Sequence, residues 1–367
     1  MSHETDRIPS LDGLRCIAVS MVLFSHLLGT RGFFHPPSGT FLYEFGNLGV
    51  KVFFVISGYL ITNLLLHELK RTDKINLGKF YFRRTFRIFP ACYCMAAALV
   101  VFSAIGWIKL TPRDLLHTLT YTSNYYPQRS WIIGHTWSLG VEEQFYLLWP
   151  ALLLILGKRK GFWAAASTIV ICPIIRVGLW HFYKSPGIGF RFETVADAIS
   201  TGCILAGAQT WLSAQSLYKK VLGSNLFLAV PATVLLFHML YGHPTIYYLI
   251  SHTVMNVGIA LCLHWCVTHH TGTVGTILNS RPLVFVGVIS YSLYLWQQMF
   301  LNRYSSSPIT QFPFNVICLF VAALASYYAI EQPCLRLRQR LEKLVFVKRT
   351  QPMRAGAQGP VVPETSA

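Results

Sequence analysis

Residues 48–66 read Leu48-Gly49-Val50-Lys51-Val52-Phe53-Phe54-Val55-Ile56-Ser57-Gly58-Tyr59-Leu60-Ile61-Thr62-Asn63-Leu64-Leu65-Leu66, nineteen positions with one charge. A helix rises 1.5 Å per residue, so this run is about 28 Å long and matches a bilayer core of about 30 Å. Nine further runs of this kind lie near 13–31, 88–109, 141–157, 161–181, 193–212, 221–241, 245–267, 282–302 and 308–330, and the set covers more than half of the 367 residues. The expected fold is therefore an all-α integral membrane protein, a bundle of about ten transmembrane helices. Composition agrees: 53% of residues are hydrophobic and 12% charged, where soluble domains carry about 25% charged residues. An ordinary cytosolic enzyme is excluded.

The first run is expected to stay in the mature protein. Asp12 precedes it, Arg15 and His26 lie inside it, and Arg31-Gly32-Phe33-Phe34 stands where a leader would have a small-residue cleavage site.

The formal net charge of +17 follows from topology. With ten crossings and a cytoplasmic N-terminus, 22 of the 31 Lys and Arg residues fall inside, mainly from Lys70 to Arg87, at Lys158-Arg159-Lys160 and from Arg336 to Arg354. Eight fall outside, and Arg176 lies within a helix. This asymmetry fits the positive-inside rule and predicts both termini in the cytoplasm, with no nucleic-acid partner. The expected division is a transmembrane domain over 1–335 and a basic cytoplasmic tail over 336–367. Its first part, Arg336-Leu337-Arg338-Gln339-Arg340, reads as a helix on anionic lipid, and its end has the composition of a disordered segment.

Cys16, Cys92, Cys94, Cys172, Cys203, Cys262 and Cys266 sit in or beside apolar runs, so neither a disulfide framework nor a metal site is expected. No soluble domain and no internal repeat is apparent, which weakens a transporter reading. Function is expected to lie in membrane-embedded charges, which are costly enough that each is a candidate for a role.

Arg15 and His26 are eleven positions apart, which on a helix is three turns plus about 20°, so both project from one face at depths about 16.5 Å apart. Snorkelling of Arg15 and plain packing of His26 is the bland alternative. The segment from His135 to Pro150 enters from the outside and brings Glu142 and Glu143 to about the depth of His26. A carboxylate beside an imidazole holds one tautomer and raises its basicity, as general-base chemistry on a hydroxyl requires. A structural ion pair is the competing reading. Near the inner face, Arg83, Arg84 and Arg87 stand among Phe80, Tyr81, Phe82 and Phe86. Forked guanidiniums aimed into a bundle suit a phosphate. Headgroup-solvated charge is the alternative there. Buried Asp197 needs a partner, either Arg176 or Arg191. Ser57-Gly58-Tyr59 reads as a small-residue helix contact. A phosphate-reading cluster at one end and a basic centre deeper in fit a long, thin, phosphorylated molecule such as an acyl thioester of coenzyme A.

These residues resemble the membrane-bound acyltransferase 3 family, whose members acylate sugars of surface polysaccharides and related molecules. The resemblance runs from about Ile8 to Arg336. Its carriers are Leu11-Asp12-Gly13-Leu14-Arg15 followed by His26, Gly49 to Thr62, Arg83 to Pro90, and Thr136 to Pro150. Later come Asp197 with Gly202, Ile289 to Trp296, and Ser326-Tyr327 with Glu331 and Pro333. The resemblance implies that His26 deprotonates the acceptor hydroxyl, that Arg15, Arg84 and Arg87 engage acyl-CoA with Arg83 beside them, and that Glu143 and Glu331 support, as Asp12 and Asp197 would.

One departure stands out. After Tyr294-Leu295-Trp296 the family usually has His, and this chain has Gln297-Gln298. A glutamine can supply the same hydrogen bond without titrating.

The expected activity is O-acyl transfer, by analogy O-acetyl transfer, from acetyl-CoA or another acyl-CoA to a carbohydrate hydroxyl in the bacterial inner membrane, with no tightly bound cofactor and no metal. A transporter or flippase for a glycan precursor is the alternative, and a degenerate partner or sensor is a third. The acceptor and the oligomeric state are left open.

Overall fold

The computed structural model describes residues 8, 10–37, 39–184 and 187–347. Among these residues the chain is helical, with no strand. The first six α-helices are α1 (Leu11–Leu27), α2 (Phe45–Thr72), α3 (Leu77–Ala104), α4 (Pro112–Leu119), α5 (Thr136–Gly178) and α6 (Phe192–Ala214). Then come α7 (Ser216–Leu222), α8 (Ala229–Met239), α9 (Pro244–Ile246), α10 (His252–Thr268) and α11 (Thr273–Leu278). The last four are α12 (Arg281–Val288), α13 (Ser290–Phe300), α14 (Phe314–Ser326) and α15 (Gln332–Glu342).

Local chemistry explains several boundaries. The Asn76 side chain accepts from the Lys79 N–H at 2.9 Å and starts α3. Thr111 and Asp114 form a reciprocal capping box at α4, with Pro112 in the first turn where its missing N–H costs nothing. Asp114 also accepts from the Ser130 N–H at 3.0 Å, tying the following loop to that helix.

α5 is interrupted at Gly157, where φ is 74°. A Cβ on Gly161 would lie 2.7 Å from the Leu153 side chain, although eight residues of straight helix span about 12 Å. Trp149 and Phe162 bring their ring centroids to 5.9 Å as well. The chain therefore turns back at Gly157, a left-handed position that glycine adopts without a Cβ clash. The runs 141–157 and 161–181 are the two arms of this hairpin.

Among the described residues, six helical stretches are long and apolar enough to cross a membrane, with the α5 hairpin counted once, or seven if α12 and α13, bent by 69°, form one span. The expected count was about ten. The two figures differ because the α5 hairpin counts once and because α1 and α6 do not reach the length and hydropathy of such a stretch. α1 is only 17 residues and carries Asp12, Arg15 and His26, while α6 buries Thr194, Asp197, Ser200 and Thr201. A helix enclosed by other helices is solvated by them rather than by lipid, so it need not be uniformly apolar. Lipid-facing character shows instead on exposed Ile155, Trp163 and Val170 of α5, Leu236 of α8 and Val321 of α14. All nine cysteines are free.

α2 and α6 cross at a small-residue contact. A Cβ on Gly58 would meet the Ile199 carbonyl oxygen at 1.9 Å, and one on Gly202 would meet that of Val55 at 2.0 Å. Backbone cannot yield as a flexible side chain does, so Gly58→Ala must push the helices apart. The expected destabilisation is about 1–3 kcal/mol, read as a lower melting temperature in detergent. An unchanged melting temperature would show that the crossing adapts.

The boundary expected at 335/336 falls inside α15, which packs against α3. Glu342 draws in Arg83 and lies 3.6 Å from Lys79, so this helix is held by protein as well as by any lipid surface. The end of the tail, 348–367, lies outside the described residues.

Candidate active site

His26 sits in the last turn of α1, against α13. Its protonation follows from its neighbours. The backbone N–H of His135 can only donate, and it does so to Gln298 Oε1 at 2.7 Å. The Gln298 amide nitrogen therefore faces His26, donating to Nε2 at 3.4 Å. That leaves the proton on Nδ1, which donates to Gln297 Oε1 at 2.8 Å. Two glutamines thus hold the neutral imidazole in one tautomer with its lone pair on Nε2. The edge of Trp131 packs on the ring at 5.4 Å between centroids.

This histidine lines a cavity of about 370 Å³ together with Tyr43, Arg129, Trp131, His135 and Arg303. Arg303 lies over the Tyr43 and Trp131 rings at 4.7 and 5.0 Å and donates to the Ser25 carbonyl at 2.9 Å. Arg129, in the loop between α4 and α5, donates to the carbonyls of Gly134 and Tyr126. Burial pulls its pKa down to about 10, which leaves it cationic at neutral pH. The cavity thus holds a base and two cations suited to a developing oxyanion.

A second cavity, about 580 Å³, holds the arginines: Arg15, Arg83, Arg84, Arg87 and Arg338 all line it. Arg84 lies 3.6 Å over the Tyr146 ring, and its buried Nε has no partner. Arg15 stands 3.9 Å from Asp12. Glu331 ends a π-helical turn, Tyr327–Glu331, accepts from the Ser292 hydroxyl, and faces Arg87 and Arg15. Arg83 is engaged by Glu342, to which its Nε donates at 2.9 Å, so it forms the rim and is the least free of the cluster. Arg338, read from sequence as a lipid-facing charge, belongs to this cavity, and its buried Nε is unpartnered.

Arg15 and His26 share a helix face, yet they open into different cavities. Tyr294 and Val50 line both and form the partition. The Tyr294 hydroxyl is tied to Ser138 Oγ at 2.5 Å and donates to the His135 carbonyl at 3.1 Å.

The expected pairing of His26 with Glu142 or Glu143 is not formed. His135 is the residue of that segment beside the His26 site, and Glu142 lies seven residues further along, about 10 Å deeper in the helix. Glu142 lines the arginine cavity with Ser57 and Arg84 as neighbours, while Glu143 is near Arg84 with Oε1 unpartnered. Asp197 is also apart from both cavities. It pairs with Arg176 at 2.9 Å, both side chains being buried. Among the described residues, no three His, Cys, Asp or Glu side chains are grouped to hold a metal ion.

Sequence reasoning missed His135, Gln298 and Arg303 as neighbours of the histidine. The adjacent glutamines, standing where the family has His, were the available signal.

Comparison with known proteins follows the same residues. The model of the acyltransferase domain family matches residues 8–331. A putative peptidoglycan O-acetyltransferase of Bacillus subtilis is 30% identical over 378 residues, covering 91% of this chain and 56% of its own length. An O-acetyltransferase of Staphylococcus aureus is 30% identical over 364 residues, 89% of this chain and 57% of its own. A peptidoglycan O-acetyltransferase of Listeria monocytogenes is 28% identical over 366 residues, 89% of this chain and 55% of its own. This chain thus spans about half the length of the curated relatives it matches. No solved structure matches it. With matching residues running from α1 to Glu331, the chain belongs to the acyltransferase 3 family of multi-pass membrane proteins.

Proposed function

We propose that this protein transfers an acetyl group from acetyl-CoA, or a closely related acyl-CoA, to a hydroxyl of a carbohydrate, with His26 as general base. The support is the imidazole itself: two glutamines hold it in one tautomer with the lone pair on Nε2, at a cavity that adjoins an arginine-lined one, and the long 3.4 Å Gln298 contact is the one an acceptor hydroxyl would replace. Nε2 takes the hydroxyl proton as the oxygen attacks the thioester carbonyl. The C–S bond breaks, and the departing thiolate receives that proton from the imidazolium. Arg129 and Arg303 balance the charge that gathers on the carbonyl oxygen. Arg15, Arg84, Arg87 and Arg338 take the phosphates of the donor, and Glu142 and Glu331 orient them.

The proposed topology has ten crossings with both termini in the cytoplasm of a bacterium, where acyl-CoA is made, and the His26 cavity on the outer side of the inner membrane. The names of the Bacillus and Listeria relatives favour a peptidoglycan-type acceptor.

The test is thiol release from acetyl-CoA by purified protein in detergent, with labelled acetyl followed onto a panel of glycans. Release coupled to labelling supports the reading. A protein that neither binds nor consumes acetyl-CoA overturns it. In the same assay Arg87→Ala is expected to raise KM for acetyl-CoA about 10–100-fold with a smaller loss in kcat, because a charge-assisted contact to the donor is lost. A fall in kcat at unchanged KM would remove Arg87 from donor binding.

A further inference from the structure

A third cavity, about 500 Å³, adjoins that of His26, and Asn47, Val50, Trp137 and Phe190 line both. Lys51, the lone charge of the opening run, lies in its wall and is 7% exposed. With an anion in the cavity Lys51 is the ammonium, which has protons and no lone pair, so in that form its 2.8 Å contact with His252 Nδ1 is a donation to the ring. The imidazole proton is thereby on Nε2. That nitrogen is buried without a partner, although His252 lines the cavity and is 3% exposed. The wall therefore holds the remaining Lys51 protons as unspent donors, while the His252 Nε2–H is enclosed beside it.

Asp197 pairs with Arg176 at 2.9 Å, while Glu44 lines the same cavity, accepts from the Asn47 amide at 2.6 Å and makes no contact ion pair with Lys51. Among the described residues, no carboxylate lies within 4.0 Å of Lys51 Nζ. A buried ammonium without an anion is costly, and such a group is kept where an anion arrives. Much of the remaining wall is aromatic, with Trp180, Tyr241, Tyr247 and Tyr248, which supplies flat apolar faces beside a few polar groups, as small-molecule sites do.

We propose that this cavity is a second acceptor subsite and takes a sugar that carries a carboxylate, held by the Lys51 ammonium. A single lysine matches one negative charge, whereas phosphate recognition favours forked arginines, which this chain gathers in the other cavity. The shared wall lets a glycan place its acidic unit here and the hydroxyl of a neighbouring unit at His26. This assignment rests on the O-acetyl transfer reading for the acceptor's role, and its test does not.

The test is direct calorimetric binding to the purified protein in detergent without acyl-CoA. The probes are digalacturonate and its dimethyl ester, the same sugar with its carboxylates capped. The native protein is expected to bind the acid at least about tenfold more tightly than the ester. Lys51→Met is expected to abolish that preference and Lys51→Arg to keep part of it, with the melting temperature in detergent as the fold check. Equal affinities, binding of neither probe, or a preference that survives Lys51→Met in a folded protein overturn the proposal. The acid-over-ester comparison in native protein needs no variant. A preference found in a protein that consumes no acetyl-CoA supports the subsite and overturns only the transfer reading.

Discussion

His26→Ala is expected to lower acetyl transfer by at least about 10²–10⁴-fold, the usual span of general-base catalysis, while CoA binding stays near that of the native protein. The base and the proposed donor phosphates occupy different cavities, which is why the two readouts should separate. A hydroxyl is a poor nucleophile until its proton is being taken, and two amides fix Nε2 of His26 as the ring nitrogen that carries the lone pair. His26→Gln should be as inactive as the alanine variant despite its size, since an amide does not accept a proton near neutral pH. Steady-state thiol release and transfer of labelled acetyl read both variants. Transfer within a few-fold of native by either would remove His26 as the base.

The second large effect concerns stability. Asp197→Ala leaves Arg176 charged and buried, with its NH1 still donating to the Thr194 carbonyl at 2.6 Å and its Nε to that of Tyr248 at 3.0 Å, but with no anion in contact. Removing one partner of a buried ion pair typically costs about 3–5 kcal/mol, against a total stability of about 5–15 kcal/mol for a typical domain. A large fall in melting temperature in detergent is expected. Replacing both, Arg176→Met with Asp197→Leu, should recover most of it, because the desolvation cost leaves with the charges. If the double variant is as unstable as the single one, the carbonyl contacts rather than the ion pair hold α5 to α6 and to the turn before α10.

Helix positions were legible in the sequence because the bilayer imposes a length that each segment must meet by itself. Even the reversal at Gly157 was implied by the basic Lys158-Arg159-Lys160 that follows it. The crossing count was less legible: α6 is enclosed by neighbours, so its polarity reports what surrounds it rather than what it spans, and short α1 exposes Ile17 and Phe24 on one face while carrying Asp12, Arg15 and His26 on the other. The arginine cluster was legible because Arg84 and Arg87 lie on one helix, where spacing sets direction.

Contacts between distant segments were decided only by the tertiary structure. His26 and Gln297 are 271 residues apart, and Lys51 and His252 are 201 apart. Which side chain meets which depends on how helices cross and at what height, and a shift of one turn, about 5.4 Å, exchanges one partner for another. Depth along α5 put His135, not Glu142, beside the histidine site, and the packing of α15 on α3 gave Arg83 to Glu342 and Arg338 to the arginine cavity. The sequence by itself therefore determined a helical membrane bundle with a histidine, an arginine cluster and their rough separation along one helix. Only the folded bundle decided that two amides orient the base, that Tyr294 divides the path, and that Lys51 faces a cavity of its own, because buried polar groups take the partners packing delivers rather than those that sequence proximity suggests.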